Sequence, residues 1–591
     1  MIKKIYQLIV LNLRTKLSRP QFIMFIATLV GLASGMMAVL LKLLVHFLQT
    51  SLVAANSGQW LYLFFPAIGL LITVFIIKYF FGNQLQKGIA MVLKMIAVKF
   101  SFIPMKHTYA HALTSAVTVG LGGSAGLESP IVSTGSAIGS NIARISDLNY
   151  QERSLMIACG ASAGIAAVFN APIAGVIFAV EVLLSETIIS YFIPLIISSV
   201  IGVLCSSIIL HETALFNFML AEVFNYRNVP YYILLGILCG FVSLYYAKVF
   251  KRTEQQIHKW KINAYLKALI GGGMLLCLYF VFPPLFGEGY ESIKLAAGGM
   301  FERVDDHTTL LSGMPAEWSI ILFAGSLFLL KPVAAAITIG SGGNGGNFAP
   351  SLFTGAFLGF FFSKMLNRIS WINVPESNFT LVAMAGLLSG VMYCPLTAIF
   401  LIAEITNGYG LFIPLMLVSS LSFFIVKSYE PYSMETKQLA LQGEIFTHKK
   451  EKNILTSIKT ADIIQPDYAV LDISQTLKDL VEEIKKTDKN VFAVANKEGK
   501  FVGIIELNDI KGRLFQPENF EKILILNLLK KPSATIRIED NMHRVMEKFD
   551  ITQSWQLPVL DENGAFIGFI SKTKLFQKYR EILASQVDMY E

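Results

Sequence analysis

The sequence predicts an all-α polytopic membrane domain, built of broken helices in two repeated halves, followed by a smaller C-terminal α/β domain. Three observations predict it. The first is apolarity: the 591 residues are 54% hydrophobic and only 15% charged, with a mean hydropathy of +0.57, whereas a soluble chain carries roughly 25% charge. The second is where the charge sits. Residues 446–591 hold 22 basic and 22 acidic side chains, while the first 445 residues hold 46 charged side chains in all. The third is a pair of motifs that recur in the same order at nearly the same offset. A purely soluble enzyme, a disordered chain and a secreted disulfide scaffold are excluded. The net charge of +8 falls wholly on the apolar part, which is not where a nucleic-acid binder displays its excess.

Residues 1–20 carry Lys3, Lys4, Arg14, Lys16 and Arg19 ahead of the first long apolar run. That bias places the N-terminus in the cytoplasm; a mitochondrial presequence is the weaker alternative. Runs long enough to cross about 30 Å of hydrocarbon are Phe22–Leu48, Leu61–Phe80, Ile188–Leu210, Tyr231–Val249, Tyr265–Phe282, Trp318–Leu330 with its continuation, and Leu411–Val426. Between them, Gly and Pro interrupt the apolar segments 107–145, 154–186, 332–365 and 380–406. Irregular backbone at membrane depth is tolerated where protein or water covers it, and in transporters it marks the binding site. The five cysteines, Cys159, Cys205, Cys239, Cys277 and Cys394, have no ligand-like spacing and read as buried small hydrophobes.

The interrupted segments repeat. Residues 122–139 read GGSAGLESPIVSTGSAIG and residues 342–359 read GGNGGNFAPSLFTGAFLG; both fit GG-x-x-G-x-x-x-P-x-x-x-TG-x-x-x-G. Farther on, Glu follows Pro by nine residues twice, Pro172 to Glu181 and Pro395 to Glu404. The offsets of 220 and 223 residues imply a duplicated membrane half, at about 21–225 and 226–435. Inverted repeats are the commoner transporter arrangement. The tail repeats too: Val491–Ile510 and Gln556–Leu575 each alternate as two short strands around a Gly turn and then start a helix. Helical patterns precede them at Ile473–Lys485 and Asn541–Phe549. This gives two small modules at 456–515 and 525–585, behind a linker at 436–455.

The glycines of Gly122–Pro130 let backbone approach backbone, and Pro130 suits the first turn of a helix. Such a helix points its unpaired N–H groups and positive dipole end into the break. Gly342–Pro350 builds the same device. Two helix N-termini facing one cavity hold an anion without a full positive charge, and so can release it. Glu128 sits inside the first break. Ionised, its carboxylate would occupy a site built for anions; protonated, it would leave, which makes it a pH-sensitive gate. A capping role alone is the plainer alternative. Phe348 is its counterpart in the second copy. Glu181 and Glu404 recur in both halves and read best as buried carboxylates capping or bridging helices.

These residues resemble a known family. GLESP (Gly126–Pro130) looks like the GxEGP motif of the CLC chloride channels and proton/chloride exchangers, and GNFAP (Gly346–Pro350) looks like their GxFxP motif. FNAPIAGVIFAVE (Phe169–Glu181), PLTAIFLIAEIT (Pro395–Thr406) and EPYS (Glu430–Ser433) are similar to further CLC segments, and the tail resembles a pair of CBS domains. The resemblance spans about residues 20–440. It implies that Glu128 is the gating glutamate and that amides around Gly126, Leu127 and Ser129 and at Asn347 and Phe348 coordinate the anion. It matches Tyr432 to a tyrosine lining the inner side of the central site, and implies homodimers with one pore per subunit in the plasma membrane, with the tail cytoplasmic. In the tail, Asp509 matches an acid that contacts the ribose of an adenine nucleotide; a structural or dimerising role for the tail is the leading reading.

Three positions depart from the family's pattern. The motif GSGIP falls at Gln86–Lys87–Gly88–Ile89–Ala90, so Lys87 replaces a serine that touches the central anion. Either the loop is shifted and Lys87 faces elsewhere, which is the leading reading, or an ammonium stands beside the ion. Val182 follows Glu181 where exchangers often carry a second Glu, which tilts the reading toward uncoupled or weakly coupled conduction. Ser129 replaces the second Gly of GxEGP and leaves the amides in place. The expected function is pH-gated transport of chloride or a similar anion, with no cofactor or metal. A fluoride-selective transporter is the alternative. A CBS-gated divalent-cation channel, which needs clustered carboxylates or carbonyls, is weaker. The absence of HExxH, nucleophile-elbow and Walker patterns argues against an enzyme.

Overall fold

A computed structural model describes residues 16–54, 61–82, 85, 88–98, 101–184, 191–210, 224–298, 316–406, 408–441, 458 and 460–587. Lys87 lies outside the described residues. The chain divides into two compact units, residues 1–445 and 446–591.

The first unit is helical, and among the described residues its helices ahead of a short C-terminal one at Lys437–Leu441 fall into two series of eight. The first series is α1 (Arg19–Ala54), α2 (Phe65–Phe81), α3 (Gly88–Val98), α4 (His107–Gly120), α5 (Glu128–Ile145), α6 (Tyr150–Phe169), α7 (Pro172–Phe178) and α8 (Phe192–Leu210). The second is α9 (Val229–Lys259), α10 (Ala264–Val281), α11 (Tyr290–Ala297), α12 (Ala316–Gly340), α13 (Phe348–Asn367), α14 (Glu376–Met392), α15 (Pro395–Ile405) and α16 (Phe412–Tyr429). Packing repeats with the order: α5 lies against α6 as α13 lies against α14, and α1 against α6 as α9 against α14. Among the described residues, eight helices are long and apolar enough to cross a membrane. Two of them, α6 and α13, come from segments that the sequence marks as broken. The breaks fall between helices instead, and the helix of the Tyr231–Val249 run continues to Lys259.

Local chemistry sets the helix ends. Asn149 caps α6 and exchanges hydrogen bonds with Glu152, three residues on. Arg19, at the start of α1, grips the same Glu152 carboxylate with two nitrogens at 2.6 and 2.5 Å, tying the two helices together. Asn170 and Tyr393 end α6 and α14 in the left-handed region, with φ of 56° and 62°. Pro172 and Pro395 then open α7 and α15. Large apolar side chains such as Phe47, Phe80, Ile208 and Phe424 are exposed on the outer helices, as a hydrocarbon solvent requires. Cys159, Cys205, Cys239 and Cys394 are buried as expected, but Cys277 on α10 is exposed; it belongs to an apolar face that no described segment covers.

The second unit holds two three-stranded sheets. β1 (Val470–Asp472) pairs in parallel with β2 (Val491–Ala495), which pairs antiparallel with β3 (Phe501–Glu506); helix α17 (Leu477–Lys486) connects the first two. β4 (Ile536–Arg537), α18 (Met542–Thr552), β5 (Gln556–Leu560) and β6 (Phe566–Ser571) repeat that order and pairing, and α19 (Lys572–Val587) ends the described chain. The short parallel strands β1 and β4 have two or three residues and no alternation to read in the sequence. The modules interlock: Ile458 and Ile463, which precede β1, pack into the core of the second module, and Ile525 and Leu528, which follow β3, pack into the first.

Asp540 fastens the second module. Its carboxylate accepts from Lys548 Nζ at 2.6 Å and from the Arg537 amide at 3.0 Å. Burial pushes this carboxyl up, but the Lys548 ammonium and the Arg537 amide outweigh it and hold the group below the usual carboxylate range. A depressed value contributes stability above the unfolded pKa of about 4 and loses it as pH falls through the folded value. Asp540→Asn is therefore expected to speed amide exchange in α18 at neutral pH, with the difference shrinking below about pH 4. Hydrogen-exchange mass spectrometry on the full chain checks it.

Candidate functional site

The two glycine-rich breaks meet. Gly126 N–H donates to Gly346 O at 2.9 Å, and Gly346 N–H donates to Gly126 O at 2.8 Å, an antiparallel pair between equivalent positions of the two repeats. Each break is completed by the opposite half. Thr118 Oγ1, at the end of α4, accepts the Asn344 amide at 3.0 Å, and Thr338 Oγ1, at the end of α12, accepts the Ser124 amide at 3.1 Å. Gly122 and Gly342 turn the chain at φ of 94° and 110°, where a Cβ is strained. A local two-fold axis relates all of these contacts.

The same symmetry governs the second pair of motifs. The Glu404 carboxylate accepts the Ile173 and Ala174 amides at 2.9 and 2.8 Å, capping α7. The Glu181 carboxylate accepts the Leu396 and Thr397 amides at 3.1 and 2.8 Å, capping α15. Each acid thus neutralises the positive end of the other half's helix. This is the capping and bridging role that the Pro-to-Glu spacing suggests.

Glu128 is the first residue of α5 and is 1% exposed. Its carboxylate lies over Gly126. Tyr290 Oη donates to Oε1 at 2.5 Å, and the Ala349 amide, in the first turn of α13, approaches Oε2 at 3.4 Å. The acid of one repeat therefore sits among the amide ends of both helices. Leu127 precedes α5 as its cap, and Asn347 caps α13, which begins at Phe348. The Phe348 ring is buried against Phe169 and Phe178, with centroids 5.6 and 6.4 Å away. Leu127, Glu128, Ser129, Asn347 and Phe348 are thus brought together with Gly126 and Gly346.

Beside this junction lies a cavity of about 550 Å³, lined by Gly88, Lys94, Ser129, Lys251, Gly346, Asn347 and Glu435 among others. Asn347 Nδ2 donates to Glu435 Oε1 at 3.4 Å, and Asn347 Oδ1 accepts from Tyr246 Oη at 3.2 Å. Tyr432, half-buried, is not among the lining residues; Met434 and Glu435 reach the cavity from the same turn. Asp509, in the second unit, pairs with Lys530 Nζ at 2.7 Å.

The sequence model described as voltage gated chloride channel matches residues 68–427, more than half of the chain. This chain belongs to the CLC family. CBS domains match at residues 461–515 and 526–581. The chain is 26% identical over 454 residues to chloride channel protein CLC-f of Arabidopsis thaliana; the match covers 68% of this chain but only 56% of that protein's length. Among solved structures, a slow cyanobacterial Cl⁻/H⁺ antiporter superposes with a TM-score of 0.61 at 20% identity, covering 72% of this chain and 98% of that one. A CLC-type fluoride/proton antiporter superposes with a TM-score of 0.57 at 19% identity, covering 70% and 97%. At such identities the likeness is one of fold.

The CLC site contains groups that lie outside the motifs. The Leu127 amide donates to Glu288 Oε1 at 3.2 Å, so a second acid approaches α5 next to Glu128. Lys331, fully buried in α12, donates to the Leu285 and Gly287 carbonyls at 3.2 and 2.8 Å and stands over the Phe353 ring. It thereby holds the turn that carries Glu288 and Tyr290. Sequence signals for these exist: Lys331 is a lone cation in an apolar run, and Glu288 a lone acid between glycines. Nothing in their spacing links them to Gly126, because the links are made in space.

Proposed function

We propose that this chain moves chloride, or another small anion, across a membrane past the Gly126–Gly346 pair, and that Glu128 shuts the path while ionised. The observation that carries this reading is the place of the Glu128 carboxylate, between the amide ends of α5 and α13. A negative group held there supports an anion site: its charge is balanced by partial charges, so binding stays reversible. The Lys331 side chain is spent on two carbonyls and supplies no trap for the ion. Amides at Ser129, Asn347 and Phe348 would line the passage, with Tyr290 steadying the gate; those of Gly126 and Leu127 are held by the Gly346 carbonyl and Glu288.

Chloride efflux from proteoliposomes is the direct test; no efflux above that of protein-free vesicles overturns the reading. Val182 favours a channel or a weakly coupled antiporter. Under combined chloride and proton gradients, the reversal potential is then expected to lie near the chloride equilibrium value, and a large shift toward the proton gradient establishes exchange. The altered segment Gln86–Ala90 supports fluoride as the competing cargo; faster fluoride than chloride efflux, measured side by side, decides for it. The further reading is a homodimer with one path per subunit in the plasma membrane. Its N-terminus and CBS tail face the cytoplasm, and the tail modulates flux, with an adenine nucleotide near Asp509 as the candidate ligand.

A further inference from the structure

The cavity of about 550 Å³ ends on the same backbone that Glu128 approaches, yet Glu128 is not among its lining residues. What the cavity presents at that end is Glu435. Its Oε1 accepts from Asn347 Nδ2. A Cβ placed on Gly88 would lie 3.5 Å from Glu435 Oε2 and 3.8 Å from Ser129 Oγ, so the carboxylate and the Ser129 hydroxyl flank the same point of the cavity wall. Besides Glu128 and Glu288, which lie at α5, Glu435 therefore reaches the Gly126–Gly346 junction, and it does so from the cavity. Glu128 engages α13 through the Ala349 amide, and Glu435 engages its cap, Asn347, from within the cavity.

The groups that face Glu435 are mixed in sign. From α9 come Tyr246, Lys251, Glu254 and His258; from α3 comes Lys94. Lys251 is paired with Glu254 at 3.0 Å. On its own segment, Lys437 is paired with Glu430 at 2.6 Å. Lys94 and Lys251 attract anions into the cavity, Lys251 less so because it is paired with Glu254, while an ionised Glu435 places a negative charge beside Asn347 and Ser129. These lysines and the Glu435 carboxylate act in opposite directions on the same ion.

We propose that Glu435 is a second proton-controlled carboxylate on the anion path, acting through Asn347 from the cavity side. Ionised, it holds the Asn347 amide and repels an ion arriving at Gly346 and Ser129. Protonated, it loses that charge and frees the amide to meet the ion. Acidification therefore raises flux through Glu435 as well as through Glu128. This rests on the anion path proposed above.

The test separates the two acids by removing Glu128 first. Chloride efflux from proteoliposomes is measured between about pH 7.5 and about pH 5. Glu128→Gln is expected to keep a residual rise of flux on acidification. Glu128→Gln combined with Glu435→Gln is expected to lose that rise and to run at the high level throughout. Glu435→Asp in the same background retains titration and hence the rise, and His258→Gln retains it too. A role for Glu435 in merely holding Asn347 would lower flux without moving the profile. The proposal is overturned if Glu128→Gln alone is already flat, if the double variant keeps its rise, or if His258→Gln removes it. Absence of flux in the unaltered protein would instead overturn the anion path itself, and this proposal with it.

Discussion

Glu128→Gln is expected to raise chloride flux at neutral pH by about tenfold or more and to remove the larger part of its pH dependence. Hydrogen bonds to a charged acceptor contribute about 1.5–3 kcal/mol each, and about 1.4 kcal/mol is a tenfold change in rate. Glutamine keeps the size of the side chain, and its oxygen can still accept from Tyr290. Its amide nitrogen, however, then meets the Ala349 N–H, donor against donor, where the carboxylate oxygen accepted. The side chain no longer competes with an anion for the amide ends of α5 and α13, and no proton is needed to dislodge it. Chloride efflux from liposomes at about pH 7.5 and about pH 5 measures both effects. Flux that stays low, with the pH profile of the unaltered protein, would remove Glu128 from the gate.

The second large effect is on folding. Gly139→Leu is expected to abolish recovery of folded protein, costing more than about 3 kcal/mol. Helices α5 and α6 touch backbone to backbone: a Cβ on Gly139 would lie 1.9 Å from Met156 O, and one on Gly135 would lie 2.2 Å from Gly160 O. The second repeat copies this, with Gly359 facing Phe379 O and Gly355 facing Ala383 O. Small residues four apart let helices approach this closely in a membrane. Gly164 is the control. A Cβ there would meet only the Ile131 side chain at 3.3 Å and its carbonyl at 3.4 Å, so Gly164→Ala is expected to leave yield and monodispersity in size-exclusion chromatography nearly unchanged. Equal loss in both variants would refute the backbone-contact explanation.

Much of this architecture can be read from the chain because duplication writes each device twice. The GG-x-x-G breaks and the nine-residue Pro-to-Glu spacing mark in advance the two places where the halves engage, and Glu128 stands out as the one acid in a break. Groups held in place by distant chain segments leave no such trace. Tyr290 is 162 residues from the Glu128 it binds, and Glu435 is 88 residues from Asn347. Glu435 also lies only three residues beyond Tyr432, the residue singled out by motif, yet it is the one that reaches the cavity. In the tail, alternation reveals β2, β3, β5 and β6. The exchange of Ile463 and Ile525 between modules is invisible to it, because hydrophobicity says that a residue is buried and not in which core.

The crossing of Thr118 to Asn344 and of Thr338 to Ser124 has a consequence for how the protein is made. While the ribosome is still translating the first repeat, the Ser124 amide has no acceptor, since Thr338 lies 214 residues downstream. Neither loop can reach its final shape until both have been synthesised, so the transport pathway forms late, by docking of two incomplete partners. Until then the nascent first half depends on lipid, water or a chaperone to shelter its open end.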